Sequence, residues 1–179
     1  MMAKVIIGLS GKAGTGKSEV AKYLIGRGFK LVKFAAPLKR MLKALGLTQE
    51  HIEGRLKEVP CDLLGGKTPR EAMLTLGTEW GRNMIAGDLW VNAWKQTVEK
   101  MPTYVVTDDV RFPNEAKAVH GMGGVIAMIE RDKQTKIDHE SESYLISGDF
   151  VIHNIGTIDD LHSAADSVLN SILGQRHVA

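Results

Sequence analysis

Gly11-Lys12-Ala13-Gly14-Thr15-Gly16-Lys17-Ser18 satisfies the full G-x-x-x-x-G-K-[ST] pattern, with the apolar run Val5–Leu9 directly before it and a helical pattern directly after it. Residue types at this spacing make a cradle for a polyphosphate. Gly11, Gly14 and Gly16 tolerate φ > 0 and carry no Cβ, so successive backbone N–H groups can point at phosphate oxygens. The helix that follows adds its positive N-terminal end. In such a loop Lys17 reaches the β- and γ-phosphates and the Ser18 hydroxyl ligates the Mg²⁺ that bridges them. A ligand-free glycine turn would explain the glycines, but neither the Lys-Ser pair nor the flanking strand and helix. The pattern points to ATP or GTP bound by residues 11–18 with Glu19 beside them; Lys12 is either a phosphate contact or a solvated lysine.

A second set of charged groups lies far along the chain. Asp108 and Asp109 follow the apolar Tyr104-Val105-Val106-Thr107 in the manner of a Walker B acid, which holds Mg²⁺ directly or through water. One of the two takes that role, with Asp108 as the metal candidate, unless the pair only caps the next turn. Arg111, two residues on, can grip a phosphate bidentately or form a surface ion pair. Lys30, Lys33, Lys39, Arg40 and Lys43 cluster after the first helical segment, where an anionic substrate would need them; the plain alternative is a solvated helix face.

The elements that must position these groups are read from periodicity and punctuation. Val5–Leu9 is a buried strand, followed by a helix from Lys17 to Arg27 that Gly26 and Gly28 end. Phe29–Phe34 is a second strand, leading through Ala35-Ala36-Pro37 into a helix with Leu38, Met41, Leu42 and Leu45, closed by Gly46. Residues 47–68 are expected to be a polar, irregular segment outside the core. Thr68-Pro69-Arg70-Glu71 has the form of a capping box with a first-turn proline and opens a helix running toward Arg82. Asp88–Lys100 is a further helix. Tyr104–Thr107, Val125–Ile129 and Phe150–His153 are strands, Pro113–His120 is a helix, and the last helix begins after Thr157, where Asp160 approximates a capping box.

Five strands alternating with helices imply an α/β fold: a parallel sheet with right-handed crossovers and helices on both faces. Ligands of such a sheet bind beyond the carboxyl ends of its strands, so residues 10–18, 35–40, 108–114 and 130–132 are expected to share one crevice. The 179 residues fit a single domain, and the formal charge of +2 does not suggest a nucleic-acid coat. The lone Cys61 forbids an internal disulfide and the apolar start is too short for a signal peptide, so a reducing cytoplasm is the expected setting. No stretch approaches the roughly 20 apolar residues that cross a bilayer.

Behind the phosphate loop, residues 67–94 (KTPREAMLTLGTEWGRNMIAGDLWVNAW) and 105–119 (VVTDDVRFPNEAKAV) resemble the deoxynucleoside monophosphate kinases of bacteriophages. The T-P-R-E-A, G-T-E-W-G-R, D-L-W-V and D-V-R-F-P-N-E stretches are together far more specific than the loop. The resemblance implies a three-layer α/β/α P-loop kinase domain over 1–179, with a mostly helical acceptor-binding region at 36–100 and a lid-like segment at 131–148. It also implies transfer of the γ-phosphoryl of ATP, with Mg²⁺, to a deoxynucleoside 5′-monophosphate. Its partners are then ATP and that acceptor, with no nucleic acid and no membrane; a homodimer is left open. A viral source would place the reaction in the host cytoplasm.

Carried onto this chain, the resemblance makes Lys17 and Ser18 the ATP and Mg²⁺ residues. Residues 36–40, with Lys39, become a monophosphate-side element, and Arg70, Thr78, Glu79, Trp80, Arg82, Asp109, Arg111, Asn114 and Glu115 line the acceptor pocket. Lys17, Arg111 and Arg131 are the catalytic candidates, Arg131 to neutralise charge on the transferring phosphoryl group. Trp80 can stack on a base or belong to the core, as can Trp90 and Trp94. Glu79 and Arg82 can form an ion pair, and Arg131 can be a solvated loop arginine. Leu74 stands where such kinases often carry Gln. The His139-Glu140-Ser141-Glu142 stretch matches an H-x-S-E element of the family. Other small P-loop kinases, such as a dephospho-coenzyme A or sugar kinase, and an ATPase or nucleotide-switch module, are the alternative readings.

Overall fold

The computed structural model describes residues 4–101, 104–131 and 146–176. The stretch 132–145, which holds most of the expected lid-like segment and His139 to Glu142, lies outside the described residues. The chain divides into two compact units, residues 1–33 with 97–179, and residues 34–96.

The first unit is built on β1 (Ile6–Ser10), β2 (Lys30–Leu31), β3 (Val105–Thr107), β4 (Val125–Glu130) and β5 (Phe150–His153). They form one five-stranded sheet in the order β2-β3-β1-β4-β5, and every neighbouring pair is parallel. β1 is central, pairing Ile6 with Val105 on one side and Ile7 with Val125 on the other. Its buried residues divide by parity, because successive side chains of a strand point to opposite faces. Val5, Ile7 and Leu9 pack with Val20, Ala21 and Leu24 of α1 (Lys17–Gly26) and with Leu161, Ala165, Leu169 and Ile172 of α7 (Ile158–Arg176). On the opposite face Gly8 leaves room for Val119 of α6 (Pro113–Gly121), whose Cγ2 would lie 3.3 Å from an added Cβ. Helices on both faces of a parallel sheet complete the expected three-layer α/β/α arrangement.

The expected strand Phe29–Phe34 shrinks to Lys30–Leu31. Among the described residues this edge segment has a strand partner on one side only, bonding through Lys30 N to Tyr104 O (2.8 Å) and Val32 N to Val106 O (2.9 Å). Its apolar pattern reflects the burial of Phe29, Val32 and Phe34 rather than a long ladder.

The second unit contains α2 (Ala36–Ala44), α3 (Gln49–Glu53), α4 (Pro69–Leu74) and most of α5 (Leu89–Glu99). Its core gathers Leu38, Leu42, Leu47, Ile52 and Trp90. Leu47 and Ile52 correct the expectation that residues 47–68 lie outside the core. Thr48 starts α3 with its N–H on His51 Nδ1 (3.2 Å), and the short helix turns Ile52 inward. The expected Thr68 cap is present: Thr68 N donates to Glu71 Oε2 (2.8 Å) and Glu71 N donates to Thr68 Oγ1 (3.1 Å).

The helix expected from there to Arg82 changes type. After Leu74 the chain continues as a π-helix over Thr75–Ile85, 11 residues long, where such geometry normally appears as a single turn. A wedge explains the widening. Trp90 Nε1 donates to Gly77 O (2.7 Å), and the indole lies so close to Gly81 that an added Cβ would meet its ring at 2.5 Å. A side chain that engages a helix's carbonyls competes with its own backbone ladder. Trp90 and Trp94 are both core residues, Trp94 stacking on Phe34 at 4.6 Å between centroids.

Glu71, Asp149 and Asp160 hold turns by accepting main-chain N–H groups, and each has a lowered pKa. Thr68 lowers Glu71 through backbone and side-chain hydrogen bonds, and Thr157 does the same for Asp160. Burial pushes Asp149 up, but the Ile126 N–H (2.7 Å) and His120 (2.8 Å) outweigh it and leave the group below the usual aspartate value. A depressed carboxyl binds its proton more weakly in the folded than in the unfolded chain. Its contribution is therefore complete above the unfolded value and lost as pH falls through the folded one. The melting temperature should fall steeply below about pH 4, the ordinary aspartate range. Asp149→Asn should melt lower at pH 7 and show a shallower acid limb, checked by thermal melts between pH 2 and 8.

Candidate functional site

The phosphate loop has the backbone its sequence requires. Gly11, Gly14 and Gly16 have φ of 133°, 76° and 109°, and Gly16 caps α1 in the left-handed region. Lys17 folds over the loop, its ammonium donating to Gly11 O (2.5 Å) and Lys12 O (2.6 Å). Lys12, Ala13, Gly14 and Ser18 are exposed, whereas Thr15 is buried and donates from Oγ1 to Lys12 O (2.9 Å). Glu19 is paired with His162 of α7 at 3.2 Å, and that imidazole stacks on Tyr23 of α1. This contact braces the two helices.

Sequence reasoning missed Asn154, just past β5. Its Nδ2 donates to Thr15 O (2.8 Å), and its own N–H donates to Glu130 O (2.7 Å). One residue, by its side chain and its backbone N–H, thus ties the loop to the ends of β4 and β5. No motif announces it, because the bond is made across 139 positions of sequence.

At the end of β3, Asp108 and Asp109 separate in role. Asp108 is 6% exposed, and its Oδ2 lies 3.5 Å from Ser18 Oγ and 3.1 Å from Lys33 Nζ. Its Oδ1 is buried and has no hydrogen-bond partner among the described residues. Asp109 is half-buried and accepts from Thr107 Oγ1 (2.9 Å). The structure therefore brings Ser18 together with Asp108. A hydroxyl facing a buried carboxylate oxygen suits a hard divalent ion that takes oxygen ligands and shares its shell with phosphates. Among the described residues no group of three or more His, Cys, Asp and Glu could hold a metal alone, so the nucleotide would have to complete that shell. Asp108 is the better fit to Mg²⁺.

Arg111 is exposed on the loop after β3, and Asn114 is half-buried in the first turn of α6. Glu115 is buried and turned inward: its Oε2 accepts from Arg111 N (2.7 Å) and Phe112 N (3.1 Å). It holds the loop that presents Arg111. Arg131 is exposed immediately after β4.

The other expected acceptor residues belong to the second unit. Lys39 pairs with Glu53 (2.5 Å) and Arg70 with Glu58 (3.2 Å). Between these cations sits one the sequence reading did not single out. Lys57 has its pKa lowered by burial and by the nearby charges of Lys39 and Arg70, against the opposing pull of Glu53 and Glu58. Its carbonyl accepts from Arg70 N (3.0 Å). The charges of Lys39 and Arg70 thus add to burial in disfavouring the charged form of Lys57, a cost that a bound anion would offset. Thr78, Glu79, Trp80 and Arg82 lie on the π-helix, Glu79 exposed and the others half-buried, with Trp80 tilted against Trp90 at 6.3 Å.

Comparison with known proteins adds to this geometry. A family profile described as deoxynucleotide monophosphate kinase matches residues 56–165. A protein of Acanthamoeba polyphaga mimivirus, whose name marks it as a candidate deoxynucleotide monophosphate kinase, is 36% identical over 190 residues, spanning 93% of this chain and 97% of the relative. The deoxynucleoside-5′-monophosphate kinase of Escherichia phage T5 is 30% identical over 97 residues, 49% of this chain and 38% of its own. Among solved structures, TT1252 from Thermus thermophilus is similar with a TM-score of 0.54 at 17% identity, covering 94% of this chain and 97% of that one, a likeness of fold.

If Asn154 shapes the loop, Asn154→Ala should weaken ADP binding by roughly 3- to 10-fold, the worth of one hydrogen bond, without a matching loss of melting temperature. Calorimetric titration beside a thermal melt measures both; unchanged ADP affinity would remove Asn154 from the site.

Proposed function

The chain belongs to the deoxynucleotide monophosphate kinase family, and from that premise we propose that it transfers the γ-phosphoryl of ATP to a deoxynucleoside 5′-monophosphate. The products are ADP and the deoxynucleoside diphosphate, a supply of DNA precursors in the cytoplasm of an infected host. The observation that carries the reading is the left-handed glycine loop with Ser18 beside the half-satisfied Asp108.

The acceptor's phosphate oxygen is already a nucleophile, so the chain needs no strong general base. Its work is positioning and charge stabilisation. Backbone N–H groups of residues 11–18 bind the polyphosphate, and Lys17 exchanges its bonds to the Gly11 and Lys12 carbonyls for phosphate oxygens. Ser18 and Asp108 would hold Mg²⁺, which when bound withdraws charge from the β- and γ-phosphates. Arg131 and Arg111 face charge that develops on the transferring group, Arg111 steadied through Glu115.

On the acceptor side Lys39, Lys57 and Arg70 bind the dianionic monophosphate, displacing the glutamates that now neutralise two of them. Thr78, Glu79, Trp80 and Arg82 serve the base and deoxyribose, where hydrogen-bonding groups and an aromatic face are required.

A coupled assay of ADP formation with ATP, Mg²⁺ and each deoxynucleoside monophosphate in turn tests the reading. Acceptor-dependent ADP with the matching diphosphate is expected, and Lys17→Ala should abolish it in a folded protein; ADP formed equally without acceptor would mark an ATPase instead. Lys57 adds a pH dependence. A bound dianion favours the charged lysine and raises its pKa, so acceptor binding takes up a proton and weakens as pH rises through the free-state value. The acceptor KM should therefore climb at a pH below the ordinary lysine value of about 10.4, and Lys57→Met should raise KM at neutral pH and flatten that climb.

A further inference from the structure

Lys33 is the last residue of the first unit, two positions past β2, and its ammonium stands 3.1 Å from Oδ2 of Asp108. That same oxygen faces Ser18 Oγ at 3.5 Å. The carboxylate side chain is 4% exposed and the lysine side chain 27%, so this ion pair is closed on the acid's side and partly open on the lysine's. Burial makes a charged carboxylate costly unless a cation accompanies it. Without a metal, Lys33 supplies that cation.

A divalent ion held by Ser18 and Asp108 needs oxygen ligands at about 2.1 Å for Mg²⁺, which places it against the very oxygen that Lys33 now engages. Two positive charges cannot share one carboxylate oxygen at these separations without strong repulsion. We propose that Lys33 is a placeholder for the metal: its ammonium occupies the cation position at Asp108 in the nucleotide-free protein and leaves it when the metal–nucleotide complex arrives. The flexible four-carbon stem allows the movement, and the strongly hydrated ammonium finds a new counter-charge on the incoming phosphates.

The device couples two ligands. Metal alone must evict Lys33 into water, whereas metal with a polyphosphate evicts it onto an anion, so each ligand favours the other's binding to the same degree. Asp108 is kept in place and neutralised until both are present. The inference rests on the reading of Ser18 and Asp108 as the cation site, and the experiment separates the two.

Mn²⁺ serves as the probe, its binding followed by electron paramagnetic resonance with and without ADP. The wild-type protein should bind Mn²⁺ weakly alone and tightly with ADP. Lys33→Met, which keeps the stem and removes the charge, should bind nucleotide-free Mn²⁺ about tenfold more tightly or better, and the enhancement by ADP should shrink. Lys33→Arg, which keeps the charge, should stay weak without nucleotide. Adding Asp108→Asn to Lys33→Met should return Mn²⁺ binding to the weak level. Equal nucleotide-free affinities in wild type and a Lys33→Met protein of unchanged melting temperature would overturn the placeholder. Tight binding that survives Asp108→Asn would instead overturn the cation site itself.

Discussion

The close approach of the phosphate loop to the end of β4 is the constraint on which the first unit's glycine loop depends. A Cβ on Gly11 would lie 2.4 Å from the carbonyl oxygen of Ile129, a backbone atom that cannot step aside. A Cβ on Gly16 would lie 2.8 Å from the Asn154 amide that grips Thr15 O. The loop is thus pressed between its own strand, the neighbouring strand and the turn after β5. Its glycines answer to that crowding as well as to their positive φ values. A loop packed this tightly can aim its N–H groups before any ligand is present, which is what electrostatic preorganisation requires.

The parts of this arrangement legible in the sequence are those whose physics is local. The loop's residue spacing and the Thr68–Glu71 and Thr157–Asp160 caps depend on neighbours a few positions apart, and the parallel sheet follows from the order in which locally legible strands and helices alternate. Less legible were features made by distant partners. The π-helix needs Trp90 to engage Gly77 and Gly81 from outside the segment. Leu47 and Ile52 lie in a stretch whose polar average hid two core residues. Lys57 looked like one lysine among many until folding set Lys39 and Arg70 near it. Asp108 and Asp109 were equivalent as letters; burial and the proximity of Ser18 distinguish them.

Carboxylates serve one structural purpose repeatedly. Glu71, Glu115, Asp149 and Asp160 each accept a main-chain N–H at the start of a helix or strand, where the backbone has no partner of its own. Charge-assisted bonds of this kind are stronger than neutral ones and fix direction. At Glu115 the fixed turn is the one that bears Arg111.

The grip of Asn154 on Thr15 also sets an order in time. Protein synthesis delivers the central strand and its glycine loop first, while β3, β4 and then β5 follow over more than a hundred residues. A nascent chain that has reached only residue 130 carries the entire phosphate-binding motif but neither Asn154 nor the α7 residues that pack under α1. The motif that is earliest in sequence is therefore among the last to acquire its final rigidity, and the emerging chain gains a fixed nucleotide cradle only when residues 150–172 can close the sheet and its helical layer.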